Sequence, residues 1–296
     1  MNKLILLIIT LFMFLIFSCS NNEKRSDAYG NFEAVETIVS SEASGKLIEF
    51  NVEEGQLLEQ GTVVGKVDIE QLNLKTLQLE SQKNSIKSKF KSVFSQIAVL
   101  QEQKKVNQVE KQRVEKLIKS DAAATKQLDD INGIINVLNK QIASVESQNP
   151  TIMQDIKSID AQIMQIQDQV EKSSVVNPVK GTVLTKLTEQ SEIVNYGKPL
   201  YKIADLTTME LRVYVSETQL PEIKIGQKVK VLIDNDKNNF KELEGTITWI
   251  SNKAEFTPKI IQTKEERVNL VYAVKVTVKN NDGILKIGMP GEIMFK

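Results

Sequence analysis

From Leu128 to Val170 the chain repeats apolar residues at alternating steps of three and four. The positions are 128, 131, 135, 138, 142, 145, 149, 152, 156, 159, 163, 166 and 170, and all except Asn149 are Leu, Ile or Val. Such a seam predicts a coiled-coil helix, because a helix with one continuous apolar stripe has to bury it against another helix. The partner lies upstream. Leu72, Leu79, Ile86, Val93 and Leu100 hold one seam position, with Phe90 and Ile97 on the other. Lys104, Asn107 and Lys111 interrupt this arm, and Val106, Leu117 and Ile118 point to a phase shift towards its end. Turn-compatible residues Lys119 to Ala122 separate two arms, residues 69–119 and 125–174. An antiparallel hairpin with its tip at 118–126 is therefore expected. An arm of ~50 residues at 1.5 Å per residue reaches roughly 75 Å. Asn149-Pro150 falls inside the second arm, yet the periodicity resumes in register beyond it. That predicts a kink or local break; two separate helices is the alternative.

A broken repeat brackets these heptads. Gly45-Lys46-Leu47-Ile48 matches Gly181-Thr182-Val183-Leu184 at an offset of 136. The offset persists: Gly55 faces Ser191, Leu57-Leu58 face Ile193-Val194, Gly61 faces Gly197, and Lys66-Val67 face Lys202-Ile203. Both copies alternate short β-type runs with turn residues. Neither is large enough to bury a core alone. Two such halves facing one another make a small β-sandwich, so one domain is split by the long insertion.

The C-terminal third reads as strands. Leu211 to Val215, Lys228 to Ile233, Gly245 to Ile250 and Tyr272 to Val278 alternate with a period near two, and turn residues separate them. Several short strands in ~90 residues suggest a small β-barrel. The fold class expected is therefore α+β and multidomain: a split β-sandwich, an inserted antiparallel coiled-coil hairpin and a C-terminal β-barrel.

Composition removes whole classes of function. Thirty-eight basic residues balance thirty-eight acidic ones, which argues against nucleic acid, whose binding needs a basic face. The chain has no His, so the usual general base, metal ligand and pH switch are missing. One Cys excludes an intrachain disulfide or a Cys-cluster metal site. The carboxylate pairs Glu53-Glu54 and Asp129-Asp130 read as solvated turn and helix-start charges. No phosphate-binding Gly loop or nucleophile elbow is present. No enzyme activity, cofactor or metal is expected.

The single Cys has a telling place. Leu4 to Phe17 is an apolar run too short to span a bilayer and suited to a signal-peptide core. It ends at Ser18-Cys19 and turns polar at once. This resembles a bacterial lipoprotein signal, in which Cys19 becomes the lipidated first residue. An ordinary signal peptide or a short anchor with an incidental Cys is the alternative.

The full order resembles that of the HlyD family of periplasmic adaptors, or membrane fusion proteins. The stretches that carry the resemblance are Val52 to Gly61, Tyr196 to Leu200, Val215 to Glu217, Ile225 to Val229 and Leu285 to Gly291. The run Glu255-Phe256-Thr257-Pro258-Lys259, followed by Arg267 and Leu270-Val271-Tyr272, is similar to the barrel of adaptors paired with ABC-type exporters. The resemblance makes the sandwich lipoyl-like, a barrel-sandwich hybrid. It implies a signal peptide at 1–18, a tether at 19–29, half-domains at 30–68 and 175–205, the hairpin at 69–174 and the barrel at 206–296. A carrier domain of that fold presents its modified Lys on a hairpin between the halves. Here the coiled coil occupies that place, so no lipoyl or biotinyl cofactor comes with the fold.

The family also carries a tip motif for docking on a channel: Arg, Leu four later, Ser seven after that, and often Asp five beyond. Arg113, Leu117 and Asp129 fall at those positions. Ala124 stands where the Ser would be, and Thr125 beside it is expected to cap the returning helix instead. The resemblance thus implies an adaptor that self-associates, as a ring. Its partners are an inner-membrane transporter of the ABC permease type and an outer-membrane channel of the TolC type. It would sit in the periplasm on a lipid at Cys19, with the inner membrane favoured. The rival readings are a structural coiled-coil envelope lipoprotein and a lipoyl or biotinyl carrier subunit.

Overall fold

A computed structural model describes residues 26–236, 239–256 and 270–295. Residues 1–18, where a signal peptide is expected, and Cys19 lie outside the described residues, as do Pro258, Lys259 and Arg267. The chain forms two compact units. One is Ile38–Lys202; the other joins the residues up to Thr37 to Ile203–Lys296.

The first unit contains the sandwich. Its strands are β2 (Glu36–Ser40), β3 (Gly45–Phe50), β4 (Leu57–Leu58), β5 (Val63–Val67), β6 (Ser174–Val176), β7 (Gly181–Lys186), β8 (Ile193–Val194) and β9 (Pro199–Ala204). They form two four-stranded sheets, ordered β2-β9-β7-β4 and β6-β5-β3-β8, so each sheet mixes strands from both halves. The mixing obeys the offset of 136. Gly45 pairs with Val194 and Lys46 with Ile193, while Gly181 pairs with Leu58 and Thr182 with Leu57. Loop hydrogen bonds repeat as well. Leu47 N–H donates to Glu192 O at 2.9 Å and Val183 N–H to Gln56 O at 2.9 Å. Ser41 N–H donates to Lys198 O at 2.9 Å and Asn177 N–H to Thr62 O at 2.8 Å. The two halves are thus related by an internal two-fold, and the buried pairs Leu47/Val183, Leu58/Val194 and Val64/Leu200 fill its core. β2 and β6 extend the repeat further, with Val39 and Val175 buried at matching positions.

The hairpin leaves the sandwich between β5 and β6. It consists of α1 (Glu70–Lys119), α2 (Thr125–Glu146) and α3 (Asn149–Lys172), with α1 packed against both others. The seam residues pack as the heptads require. Leu79 clusters with Ile159 and Ile166, and Val93 and Ile97 cluster with Ile142. The second arm breaks at Ser147 and Gln148, and Pro150 falls in the first turn of α3, where its missing N–H breaks no ladder bond. The phase shift expected in the first arm does not occur. Lys104, Asn107 and Lys111 are half-buried at unbroken seam positions, Val114 is buried one step on, and Val106 is exposed. Lysines can hold a seam position because their aliphatic stems lie along it while the ammonium reaches water.

The second unit is a barrel. Its strands are β1 (Ala28–Glu33), β10 (Thr208–Ser216), β11 (Lys228–Asp236), β12 (Asn239–Ile250), β13 (Glu255–Phe256), β14 (Leu270–Lys279) and β15 (Pro290–Met294). The order is β10-β1-β15-β11-β12-β14-β13, and β10 also pairs with β14. Six antiparallel strands therefore close on themselves, which removes free edges, and β13 lies alongside β14. Phe32, Leu211, Val213, Val231, Ile247, Val274, Val276 and Ile293 fill the interior. β1 corrects the boundary read from sequence, which gave these residues to a tether and to the sandwich. Only Ala28 and Phe32 face inward, too few for a visible period of two. Gly30 between them is required by close approach: a Cβ there would fall 1.7 Å from Arg212 O on β10.

Candidate functional site at the hairpin tip

The end of α1 is closed by its own backbone. Asp121 N–H donates to Ile118 O at 3.0 Å and Ala122 N–H to Leu117 O at 2.9 Å. Asp121 takes the left-handed conformation, with φ 55°. This is the Schellman arrangement, and it satisfies carbonyls that a helix end leaves open. Ser120 Oγ adds a bond to Leu117 O at 3.0 Å. The turn is therefore built by short-range bonds and holds its side chains on a defined scaffold.

The five tip residues singled out from sequence are all exposed: Arg113, Leu117, Ala124, Thr125 and Asp129. Arg113 and Leu117 lie four apart on α1, and Thr125 and Asp129 four apart on α2, so each pair shares a helix face. Arg113 meets Glu110 at 3.5 Å, an exposed pair worth only ~0.2–0.5 kcal/mol, so the guanidinium is available to a stronger partner. The capping expectation fails. Ala124 occupies the N-cap with extended backbone and no side-chain cap bond, and Thr125 is already the first helical residue. A hydroxyl one position late cannot reach the open N–H groups. The tip thus presents a cation, an apolar knob and a carboxylate to solvent, which suits recognition of another surface.

The remaining candidates separate from the tip. Phe256 lies on β13 of the barrel and is strongly exposed. Its neighbour Glu255 accepts two bonds from Arg212 Nη2 at 2.8 and 3.2 Å, and the guanidinium lies 5.9 Å from the Tyr214 ring centroid. Sequence reasoning missed this clamp. The alternation over Leu211 to Val215 marks Arg212 and Tyr214 as outward-facing, but nothing in it points to Glu255. Of the carboxylate pairs, Glu54 Oε1 accepts Lys186 N–H at 3.0 Å and so ties the two sandwich halves together. Gln190, the residue matched to Glu54, reaches back to Ile48 O at 2.7 Å. Among the described residues no group of His, Cys, Asp or Glu is arranged to hold a metal ion.

Comparison with known proteins adds the family context. Residues 205–294 match the LcnD-like, C-terminal domain family. The fold is similar to that of MacA from Actinobacillus actinomycetemcomitans, with TM-score 0.55 and 20% identity over 90% of this chain and 76% of that one. A MacA-MexA chimera containing the Pseudomonas aeruginosa MexA α-hairpin domain gives TM-score 0.51 and 19% identity, over 90% and 78% of the two chains. The chain thus shares the fold of these proteins over most of its length, and its residues 205–294 carry the match to the LcnD-like C-terminal domain.

Proposed function

We propose that the protein is the periplasmic adaptor of a tripartite exporter and performs no chemistry of its own. Its barrel contacts an inner-membrane transporter, of the ABC type. Its hairpin tips meet an outer-membrane channel of the TolC type. Copies stand side by side as a ring around the transport path, and a lipid on Cys19 holds them to the inner membrane.

The observation that carries this reading is the tip. A 50-residue helix delivers Arg113 and Leu117, exposed, to a backbone-closed turn at the far end of the coiled coil. Placed there, a cation and an apolar side chain four residues apart on one helix face are open to contact with a partner's surface. The fold and the LcnD-like domain support the adaptor role.

A photo-crosslinker at Leu117 or Thr125 tests it in cells. It should capture an outer-membrane channel, and Arg113→Asp should abolish capture and cut export at least tenfold. The same variant should keep its unfolding free energy within about 0.5 kcal/mol, as expected of an exposed site. Full export by Arg113→Asp, or capture of no channel while export proceeds, would refute docking through this tip.

A further inference from the structure

The barrel end that receives the N-terminal chain also gathers exposed apolar side chains. Asp27 is pinned there. Its N–H donates to Ile293 O at 2.9 Å, its Oδ2 accepts Phe295 N–H at 2.7 Å, and its carbonyl accepts from Gln219 Nε2 at 2.6 Å. The antiparallel register places the starts of β1, β11 and β14 and the ends of β10, β12 and β15 at this same end. Ile225 lies in the turn before β11 and is 67% exposed; Phe256 on β13 is 76% exposed; Leu270 opens β14 and is 52% exposed. Phe256 and Leu270 are register partners. Gly226 N–H donates to Ile247 O at 2.8 Å and so fixes the Ile225 turn to β12. Trp249, the chain's one tryptophan, is 40% exposed near the end of that strand. Large apolar side chains collected at one end mark an interaction surface.

The length of chain before Asp27 identifies the occupant. Eight peptide steps separate Cys19 from Asp27. At ~3.3–3.6 Å per residue they span at most about 29 Å. A lipid on Cys19 therefore keeps this barrel end within roughly 30 Å of the bilayer surface. We propose that the end docks on the lipid itself, with Ile225, Phe256 and Leu270 entering the boundary between headgroups and acyl chains. The proposal rests on the reading that Cys19 is lipidated. Among the described residues, exposed Lys224, Lys228 and Lys253 flank the patch, and exposed Asp27, Glu217 and Glu222 offset them. Apolar contact therefore carries the docking, with Trp249 suited to the interface by its amphipathic ring.

Trp249 reports the contact directly. The mature protein is reconstituted on phosphatidylethanolamine–phosphatidylglycerol vesicles with acyl-brominated lipid, and its fluorescence is read. Trp249 should be quenched, and the triple substitution Ile225→Ser, Phe256→Ser and Leu270→Ser should remove at least half of that quenching while the protein still floats with the vesicles. A melting curve confirms that the variant is folded. Intact mass of the Cys19 residue reports the anchor separately. An unacylated Cys19 with quenched Trp249 refutes the anchor and keeps the docking face. An acylated Cys19 with unquenched Trp249, or with quenching indifferent to the triple substitution, overturns the docking face. Shielding of Trp249 only when the transporter is added also overturns it, since the occupant is then protein.

Discussion

Ile142→Asp examines the seam on which the hairpin depends. Ile142 is 9% exposed and packs with Val93 and Ile97. Removing a buried Ile side chain costs about 2–5 kcal/mol in lost transfer energy and cavity. The new carboxylate, set among Val93 and Ile97, adds the desolvation of a buried polar group at about 1–3 kcal/mol. The sum, about 3–8 kcal/mol, is a large part of the ~5–15 kcal/mol that holds a domain folded. Val106→Asp is the control. It sits on the same rod but is 61% exposed, and should change stability by no more than about 0.5 kcal/mol. Urea unfolding followed by far-UV circular dichroism measures both. Acid sharpens the test. Burial raises the pKa of the new Asp above its unfolded value, so the folded state binds the proton more readily. The penalty should therefore be full at neutral pH and shrink as pH falls through the raised value. Equal losses for the two variants, or an unchanged Ile142→Asp, would refute the register; a penalty flat with pH would refute burial of the carboxylate.

Two further substitutions probe the sandwich. Tyr201 is fully buried, its OH donates to Asn177 Oδ1 at 2.9 Å, and burial pushes its phenol up to about 12. Its contribution is complete below the unfolded pKa of about 10 and lost as pH rises through about 12, so wild type should lose up to ~2–3 kcal/mol more than Tyr201→Phe across that window. Parallel stability–pH curves in urea titrations would count against it. Ser191 holds φ 75° where its matched residue Gly55 holds φ 83°. A left-handed non-Gly residue costs about 1–2 kcal/mol, and glycine's extra unfolded freedom returns only ~0.5–1 of it. Ser191→Gly should raise stability by roughly 0.5–1 kcal/mol, and a lowered urea midpoint would contradict the strain.

The legible parts of this chain were those written in a period. The heptads placed the rod because a seam cannot be satisfied without a partner, and the offset of 136 placed the sandwich because its turn glycines and apolar pairs recur together. What stayed hidden was set by contacts outside any period. β1 joins the barrel through strands β10 and β15, far away in sequence, and nothing local to Gly30 signals the close approach of Arg212 O. β2 and β6 share only Val39/Val175 across the offset. The Arg212–Glu255 clamp joins residues 43 apart. The tip was legible as position and not as geometry: its residues are exposed as a docking site requires, but the helix starts at Thr125, one residue too early for that hydroxyl to cap it.

The internal two-fold also explains how so long a rod can be carried by so small a sandwich. The chain leaves after β5 and returns on β6, and these strands are antiparallel neighbours. Val67 N–H donates to Ser173 O at 2.8 Å, so the two roots of the hairpin are bonded to each other where the helices begin. An antiparallel hairpin has the same pair of roots whatever its length. Adding or deleting matched heptads in both arms therefore changes reach by about 10 Å per seven residues and leaves every strand of the sandwich in register. The same separation places the cost of the polar seam at Lys104, Asn107 and Lys111 in the distal rod and not in the domain that bears it. Rod length and sandwich stability are thus set by different residues, which lets the distance between the two ends of the hairpin be tuned without altering the sandwich that supports it.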